Sequence, residues 1–359
     1  MKTRQSVIRK DHSIATAGTS IFDIVGDEPI TRISILQKVT NPNAYVPIGH
    51  PDERISKVEI VDGSDVLYSA SAIEGKPIAF YGTKVQPLSS LNYMALQWAF
   101  VPLHIYFGRH LNDPDMALDP NQFSNLQLRI THNLAAAMTS EATGYLDVVA
   151  DIMARDISTP KGFLMTKELI QLDTVASAVE YVDLPADYPI RLLMASCFSD
   201  TQAPEYNVAS FELYEGNRKN LLISYDMEDF LSMVCSEFPP WSEKVSGQNL
   251  TTDRNFWITP SHESTLIPAD YGEANSVQTP EAVGGQKRIM SAEAAGIFEA
   301  IAFGWAPHGA VPFVFPGIDT PEAYWSLDRQ GGGTVKIVFH GDVDTTPTYN
   351  LVAQQYRPY

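Results

Sequence analysis

Hydrophobic and polar positions along this chain alternate mostly in short runs, the period of half-buried β-strands. Positions 31–39 alternate imperfectly and stop at Asn41-Pro-Asn43. Positions 55–61 form a second run closed by Asp62-Gly63, and 126–132 a third, with Leu126, Leu128 and Ile130 on one face. Runs at 335–339 and 349–353 read the same way. Helical spacing is rarer. Tyr145, Val148, Val149, Ile152 and Met153 predict an amphipathic helix over about 142–156, and Phe230, Met233 and Val234 another over 226–236. A less clear helix covers about 69–80, interrupted by Gly75 and Pro77. Extended βαβ alternation is missing, which argues against doubly wound and (β/α)8 architectures.

The chain repeats itself. The segment 58–63 ends in Asp62-Gly63 and precedes Val66-Leu67 and a short helix; the segment 211–216 ends in Glu215-Gly216 and precedes Leu221-Leu222 and a short helix. Glu59 and Glu212, and Gly63 and Gly216, are each 153 positions apart (59 to 212, 63 to 216). Upstream, Pro29-Ile-Thr-Arg32 is echoed by Pro189-Ile-Arg191. Downstream, Pro102 and Pro312 are 210 positions apart, and Leu126 and Val335 are 209 apart. The second half therefore carries about 56 extra residues in one place. Positions 241–286 fit that insertion: they are rich in Ser, Thr, Asn, Pro and Gly and show little periodicity. They predict an elaborated loop projecting from one end of the second half, carrying Phe256, Trp257, His262, Tyr271 and Gly284-Gly285.

Composition narrows the function classes. The 359 residues suit two mid-sized domains, and 44% hydrophobic against 19% charged residues is ordinary for a globular protein. The net charge of −18 disfavours bulk binding to nucleic acid. Two cysteines, Cys197 and Cys235, exclude a disulfide framework and a cysteine-built zinc site. No secretory signal is expected, and no window approaches the ~18 apolar residues of a membrane span. The sequon at Asn249 then reads as chance. Against the acidic body, Lys2, Arg4, Arg9 and Lys10 form a basic N-terminal arm over 1–20, suited to an anionic surface or to plain solvation.

Each half offers about eight strands, and eight antiparallel strands in two facing sheets make a jelly roll. The expected fold class is all-β: two tandem eight-stranded jelly rolls, a double jelly roll, with a few short helices. The first roll covers 21–137, a helical linker 138–160 and the second roll 161–359, with its long insertion at 241–286. At 101–109 (VPLHIYFGR), followed by Ala117-Leu-Asp-Pro120 and the strand from Asn125, the chain resembles the double jelly-roll major capsid proteins of icosahedral DNA viruses, tailless and often membrane-containing phages and their relatives. The residues carrying this resemblance are Pro102, Leu103, Phe107, Arg109, Leu118 and Pro120, with Pro312 and Phe315 in the second half. Asp119 between Leu118 and Pro120, and the glycine-rich 328–333, depart from the pattern.

The resemblance implies a virion structural protein without catalysis: a homotrimer forming pseudo-hexagonal capsomers that tile an icosahedral shell, assembled in the host cytoplasm. It implies neighbouring capsomers and minor capsid or penton proteins as partners, an internal viral membrane reached by the N-terminal arm, and no specific nucleic-acid binding. The insertion would be a tower loop. Positions 354–359 (QQYRPY) suit either a surface contact or a frayed end.

Other chemistry is sparse. No phosphate-binding P-loop, nucleophile elbow or zinc-protease helix motif is present, and no cofactor is expected. Gly331-Gly332-Gly333 precedes a strand and reads as a turn. His340, Asp342 and Asp344 at alternate positions are candidate ligands for a hard cation, or a solvated strand end. Asp113-Pro-Asp115 is either a calcium-type loop or a turn. His104 and His132 read equally as structural or functional. Trp98, Trp305 and Trp325 read as core, with a carbohydrate platform as the sharper alternative. The rival reading of the whole is a two-domain jelly-roll hydrolase or binding protein acting on glycans, which would need two carboxylates converging in a groove. A viral spike is a further rival, but no fibrous repeat supports it.

Overall fold

The computed structural model describes residues 2–359 apart from 44–45, 89, 139–142, 157–158, 174, 200–201, 236, 249–253, 272–274, 279–283, 292–296, 314, 316, 328–330 and 342–347. Its first half contains β1 (Thr3–Ile14), β2 (Ala17–Asp23), β3 (Ile30–Thr40), β4 (Ile55–Asp62), β5 (Asp65–Ala70), helix α1 (Ala72–Thr83), β6 (Ser90–Tyr93), β7 (Trp98–Tyr106), β8 (Leu126–Asn133) and β9 (Gly144–Met153). The strands run β1-β9-β3-β7 in one layer and β2-β8-β4-β5 in the other. That order is a jelly roll.

The second half repeats it. It contains β10 (Gly162–Asp173), β11 (Val179–Leu184), β12 (Ile190–Phe198), α2 (Pro204–Asn207), β13 (Val208–Glu215), β14 (Asn220–Asp226) and α3 (Met227–Cys235). After the insertion come β21 (Ala310–Phe313), β22 (Gly333–Phe339) and β23 (Thr348–Pro358). The layers are β10-β23-β12-β21 and β11-β22-β13-β14. Parallel pairing of Tyr68 with Thr166 and Ser69 with Lys167 fuses β2-β8-β4-β5 and β10-β23-β12-β21 into one eight-stranded sheet.

The internal repeat extends to individual hydrogen bonds. The β4–β5 pair is bulged between Ile60 and Val61, and the β13–β14 pair between Leu213 and Tyr214, both 153 positions later (60 to 213, 61 to 214). Gly63 and Gly216, at the following turns, have φ of +62° and +65°, the left-handed region that favours glycine. Ile30 exchanges reciprocal backbone bonds with Leu118, and Ile190 does so with Trp325. Pro29 O accepts from Met153 N, and Pro189 O from Tyr356 N. The echo at Pro29 and Pro189 is thus the point where each roll fixes its long loop and last strand.

Three expectations are corrected. The helix predicted at 142–156, and with it the helical linker at 138–160, is instead dominated by strand β9. Leu146, Val148, Ala150 and Ile152 are buried and alternate with Tyr145, Asp147 and Val149, which are half-buried, so the true period is two. Outward Asp147 and Asp151 pair across strands with Lys38 at 2.7 Å and Arg32 at 2.8 Å. The basic arm is also a strand: β1 pairs with β9 from Thr3 to Ile14. Finally, the insertion is not structureless. Together with the residues that follow it as far as 307, it holds β15 (Trp241–Gln248), β16 (Arg254–Trp257), β17 (Pro260–Tyr271), β18 (Asn275–Gln278), β19 (Gln286–Ser291) and β20 (Ile297–Pro307). These build a β17-β20-β15-β6 sheet and a β16-β19-β18 sheet. The first recruits β6 from the matching connection of the first roll. On β15, Trp241, Glu243 and Val245 point inward, so a buried carboxylate interrupts the apolar alternation that would have marked the strand.

The other two helices lie close to where they were expected. Ser71 caps α1, with its Oγ accepting from Glu74 N at 3.2 Å while Glu74 Oε2 accepts from Ser71 N at 2.7 Å. The helix is buried on all sides. Ala72 packs in the first roll's core, whereas Ile78, Phe80 and Tyr81 pack in the second's. No helix among the described residues is long and apolar enough to cross a membrane.

Candidate assembly faces and a buried node between the rolls

Most residues that carry the family resemblance are packing residues. Leu103, Phe107, Leu118 and Pro120 are buried in the first roll, and Pro312 is buried on β21. Pro102 sits half-buried on the outward face of β7, opposite Leu36. Phe315 packs against Trp325 with ring centroids 5.1 Å apart. Arg109 does more. It donates to Asp113 at 2.7 and 2.8 Å and to Asp115 at 3.1 Å, and reaches the carbonyl of Asp319 in the second roll at 3.2 Å. Asp113 also accepts from the backbone of Arg109 and Asp115, so this segment is an arginine-filled turn. Asp119, the departure from the family pattern, caps the turn at Pro120 and pairs with Arg155 at 2.6 Å.

The basic residues of β1 remain at the surface: Lys2, Arg9 and Lys10 are exposed, and Arg4 pairs with Glu28 at 2.5 Å. His340 is exposed, its backbone bonded to Asn207 and Ser177, while Asp342 and Asp344 lie outside the described residues, as does the sequon at 249–251. Gly331 and Gly332 have φ of +75° and +90°, a turn before β22. Burial pushes the Cys197 and Cys235 thiols up to about 12, which leaves both as inert thiols. The C-terminal segment is neither frayed nor a free contact. Gln354 and Gln355 are buried in β23, and the Tyr359 hydroxyl accepts from Asp119 N at 2.6 Å and donates to Ala117 O at 2.7 Å.

Among the described residues, three sheets each present several large apolar side chains to solvent, one of them β17-β20-β15-β6 through Ile267, Ile297 and Ile301. On β1-β9-β3-β7 they are Val7, Trp98 (43% exposed) and Phe100 (50%). On β11-β22-β13-β14 they are Val179, Tyr181 (46%), Leu221 and Leu222, all on its edge strands β11 and β14. Trp98 is therefore not a core residue; it tilts against Tyr145 at 6.0 Å. Trp305 and Trp325 are only half-buried. Exposed apolar groups gathered on one sheet face are candidates for a contact surface.

His104, on the β1-β9-β3-β7 face, accepts from or donates to Ser34 Oγ at 2.9 Å. Burial, reinforced by the charge of Arg32, lowers its pKa from 6.5 to about 4. The native state then binds fewer protons than the unfolded chain between those values. Stability is expected to fall as the pH drops from about 6.5 to about 4 and to lose nothing more from this group below that. An NMR titration of the His104 imidazole should show its midpoint near 4; a midpoint at 6 or above would contradict this.

The densest buried chemistry was invisible in the sequence because its members are far apart in the chain. His50, Asp52 and His308 bring their ligand atoms within 4.8 Å of one another, all buried. Asp52 Oδ1 accepts from Lys76 Nζ at 2.5 Å and Oδ2 faces His308 Nε2 at 2.8 Å. The Asp52 amide donates to His50 Nδ1 at 3.1 Å, which leaves His50 Nε2 to donate to Thr259 Oγ1 at 3.3 Å. Thr259 Oγ1 donates in turn to Glu243 Oε2 at 2.8 Å, which also accepts from Trp241 Nε1 at 3.1 Å. Burial holds the His50 pKa well below its usual value, and the charge of Lys76 holds the Asp52 carboxyl well below the usual carboxylate range despite its burial. The donor set resembles a metal site, but Lys76 already supplies the cation, and the amide of Asp52 occupies the His50 lone pair. The arrangement joins the first roll, α1, the insertion and the β20–β21 turn.

No protein-family model matches the sequence, and no curated protein matches it. Solved structures do. The chain superposes on PBCV-1 VP54, as fitted into a reconstruction of the virophage Sputnik, with a TM-score of 0.58 and 11% identity, covering 99% of this chain and 93% of that one. The major capsid protein P2 from bacteriophage PM2 gives 0.55 and 8%, covering 99% and 98%. The STIV MCP gives 0.53 and 11%, covering 97% of each chain. The double jelly roll is thus shared over nearly the whole of each chain.

Proposed function

We propose that this chain is the major capsid protein of an icosahedral virus, acting by assembly rather than catalysis. The observation that carries this reading is the end-to-end match: both rolls, in the same order, account for nearly all of this chain and nearly all of the capsid chains it resembles. The exposed apolar faces of β1-β9-β3-β7 and β11-β22-β13-β14 lie on different rolls. That disposition suits a heterologous, head-to-tail contact that closes a ring, here a homotrimer of six rolls. Obligate interfaces of this kind bury on the order of several thousand Å2.

Neighbouring capsomers are then the principal partners, with minor capsid and penton proteins at special positions of the shell. The exposed cations of β1, Lys2, Arg9 and Lys10, offer a contact to an anionic surface such as an internal membrane. Negative-stain imaging of the purified protein tests the reading. Three-fold, hexagonal-outline particles are expected; a field of single two-lobed particles would count against it.

A further inference from the structure

A cleft of about 380 Å3 opens between the two rolls, on the side where α1 begins. Its walls include Glu53, Ser71 and Glu74 from the first roll and Glu168, Gln171 and Asn350 from the second. Three carboxylates line it and no lysine, arginine or histidine does, among the described residues. Glu74 is the decisive member. It is fully buried, and its Oε2 is committed to the Ser71 cap, while Oε1 has no hydrogen-bond partner at normal distance. The Asn350 side-chain amide approaches Glu74 and favours its charged form, while Asn350 Oδ1 has no hydrogen-bond partner. Burial raises the Glu74 pKa, and the charge of Glu168 across the cleft raises it further.

A buried carboxyl with one oxygen outside any normal hydrogen bond, in a cleft it shares with other carboxylates, is satisfied either by a proton or by a cation. The polar groups named on the walls are carboxylates, hydroxyls and amides. Such an oxygen-rich, acidic set suits a hard ion. The three carboxylates do not gather within 4.8 Å of one another, so a bound ion would keep part of its water shell. The volume allows that, since a water takes roughly 30 Å3. A flexible shell of mixed oxygens and waters fits calcium better than the rigid octahedron of magnesium.

We propose that this cleft binds a divalent cation of calcium's size, held by Glu74 and Glu168, and that the ion ties the two rolls together. Glu74 stands at the start of α1 in the first roll and Glu168 on β10 in the second.

The test is thermal unfolding of the full chain, stripped with chelator and then titrated with calcium chloride. Millimolar calcium is expected to raise the unfolding midpoint by several degrees, because a ligand that binds only the native state stabilises it. Glu74→Gln and Glu168→Gln are each expected to lose most of that shift. Glutamine preserves the α1 capping box at position 74, and Glu168→Gln leaves α1 untouched, so the second variant decides if the first folds poorly. Absence of a shift in the unsubstituted chain overturns the proposal. So does a shift that both variants retain, or one that sodium chloride of equal ionic strength reproduces.

Discussion

Asp52→Asn is expected to lower the stability of the chain by about 3–5 kcal/mol, the cost of breaking a buried ion pair from one side. The substitution leaves the Lys76 ammonium, only 2% exposed, without its counter-charge. It also weakens the bond to His308, which belongs to the second roll. Urea denaturation gives the number directly. Adding Lys76→Met to the variant should recover part of the loss, since the unpaired charge, rather than the missing attraction, accounts for most of it. A loss below about 1 kcal/mol would mean that the node behaves as a surface pair and that water reaches it.

The second large effect concerns the independence of the halves. Expressed alone, neither 1–158 nor 159–359 should fold to its native roll. Helix α1 belongs to the first half in sequence, yet Ile78, Phe80 and Tyr81 fill the second roll's core. Tyr81 donates to Ala310 O at 2.8 Å, and buried Arg191 donates to Gly82 O at 2.7 Å. In the other direction, Val245, Phe256 and Ile258 of the insertion, and Phe298 on β20 after it, pack into the first roll's core. Cutting the chain would expose both sets. The intact chain should accordingly unfold in a single transition, with calorimetric and van't Hoff enthalpies in agreement. Two resolved transitions, or a soluble fragment with native-like chemical-shift dispersion, would contradict this coupling.

The pattern of the sequence reached the fold further than it reached the site. The strands at 31–39, 55–61 and 126–132 were readable because one face of each is apolar and the other wet. The repeat was readable because its anchors, Gly63 and Gly216, are fixed by a backbone requirement rather than by packing. β9 was misread because Val148, Val149, Ile152 and Met153 fall at helical spacing, which masks the two-residue alternation of Leu146, Val148, Ala150 and Ile152, and its central place between β1 and β3 decides the matter. β15 was missed because Glu243 is buried there with three donors, an exchange that composition cannot reveal. α1 was hard to delimit for the opposite reason: a helix enclosed by two cores has no polar face to give it a period. The buried node lay beyond sequence reading altogether, since Asp52 and His308 are brought together only by the packing of one roll on the other. Among the residues carrying the family resemblance, Arg109 reaches the other roll through the Asp319 carbonyl, and Phe107 through its own carbonyl, which accepts from Leu164 N on β10.

Light-scattering mass of the gently purified chain tests the central claim most directly. The chain weighs 39.7 kDa, so a capsomer of three copies should measure near 3 × 39.7 = 119 kDa and keep that mass on dilution. A stable, well-behaved species at 39.7 kDa would contradict the account and return attention to the glycan-acting alternative.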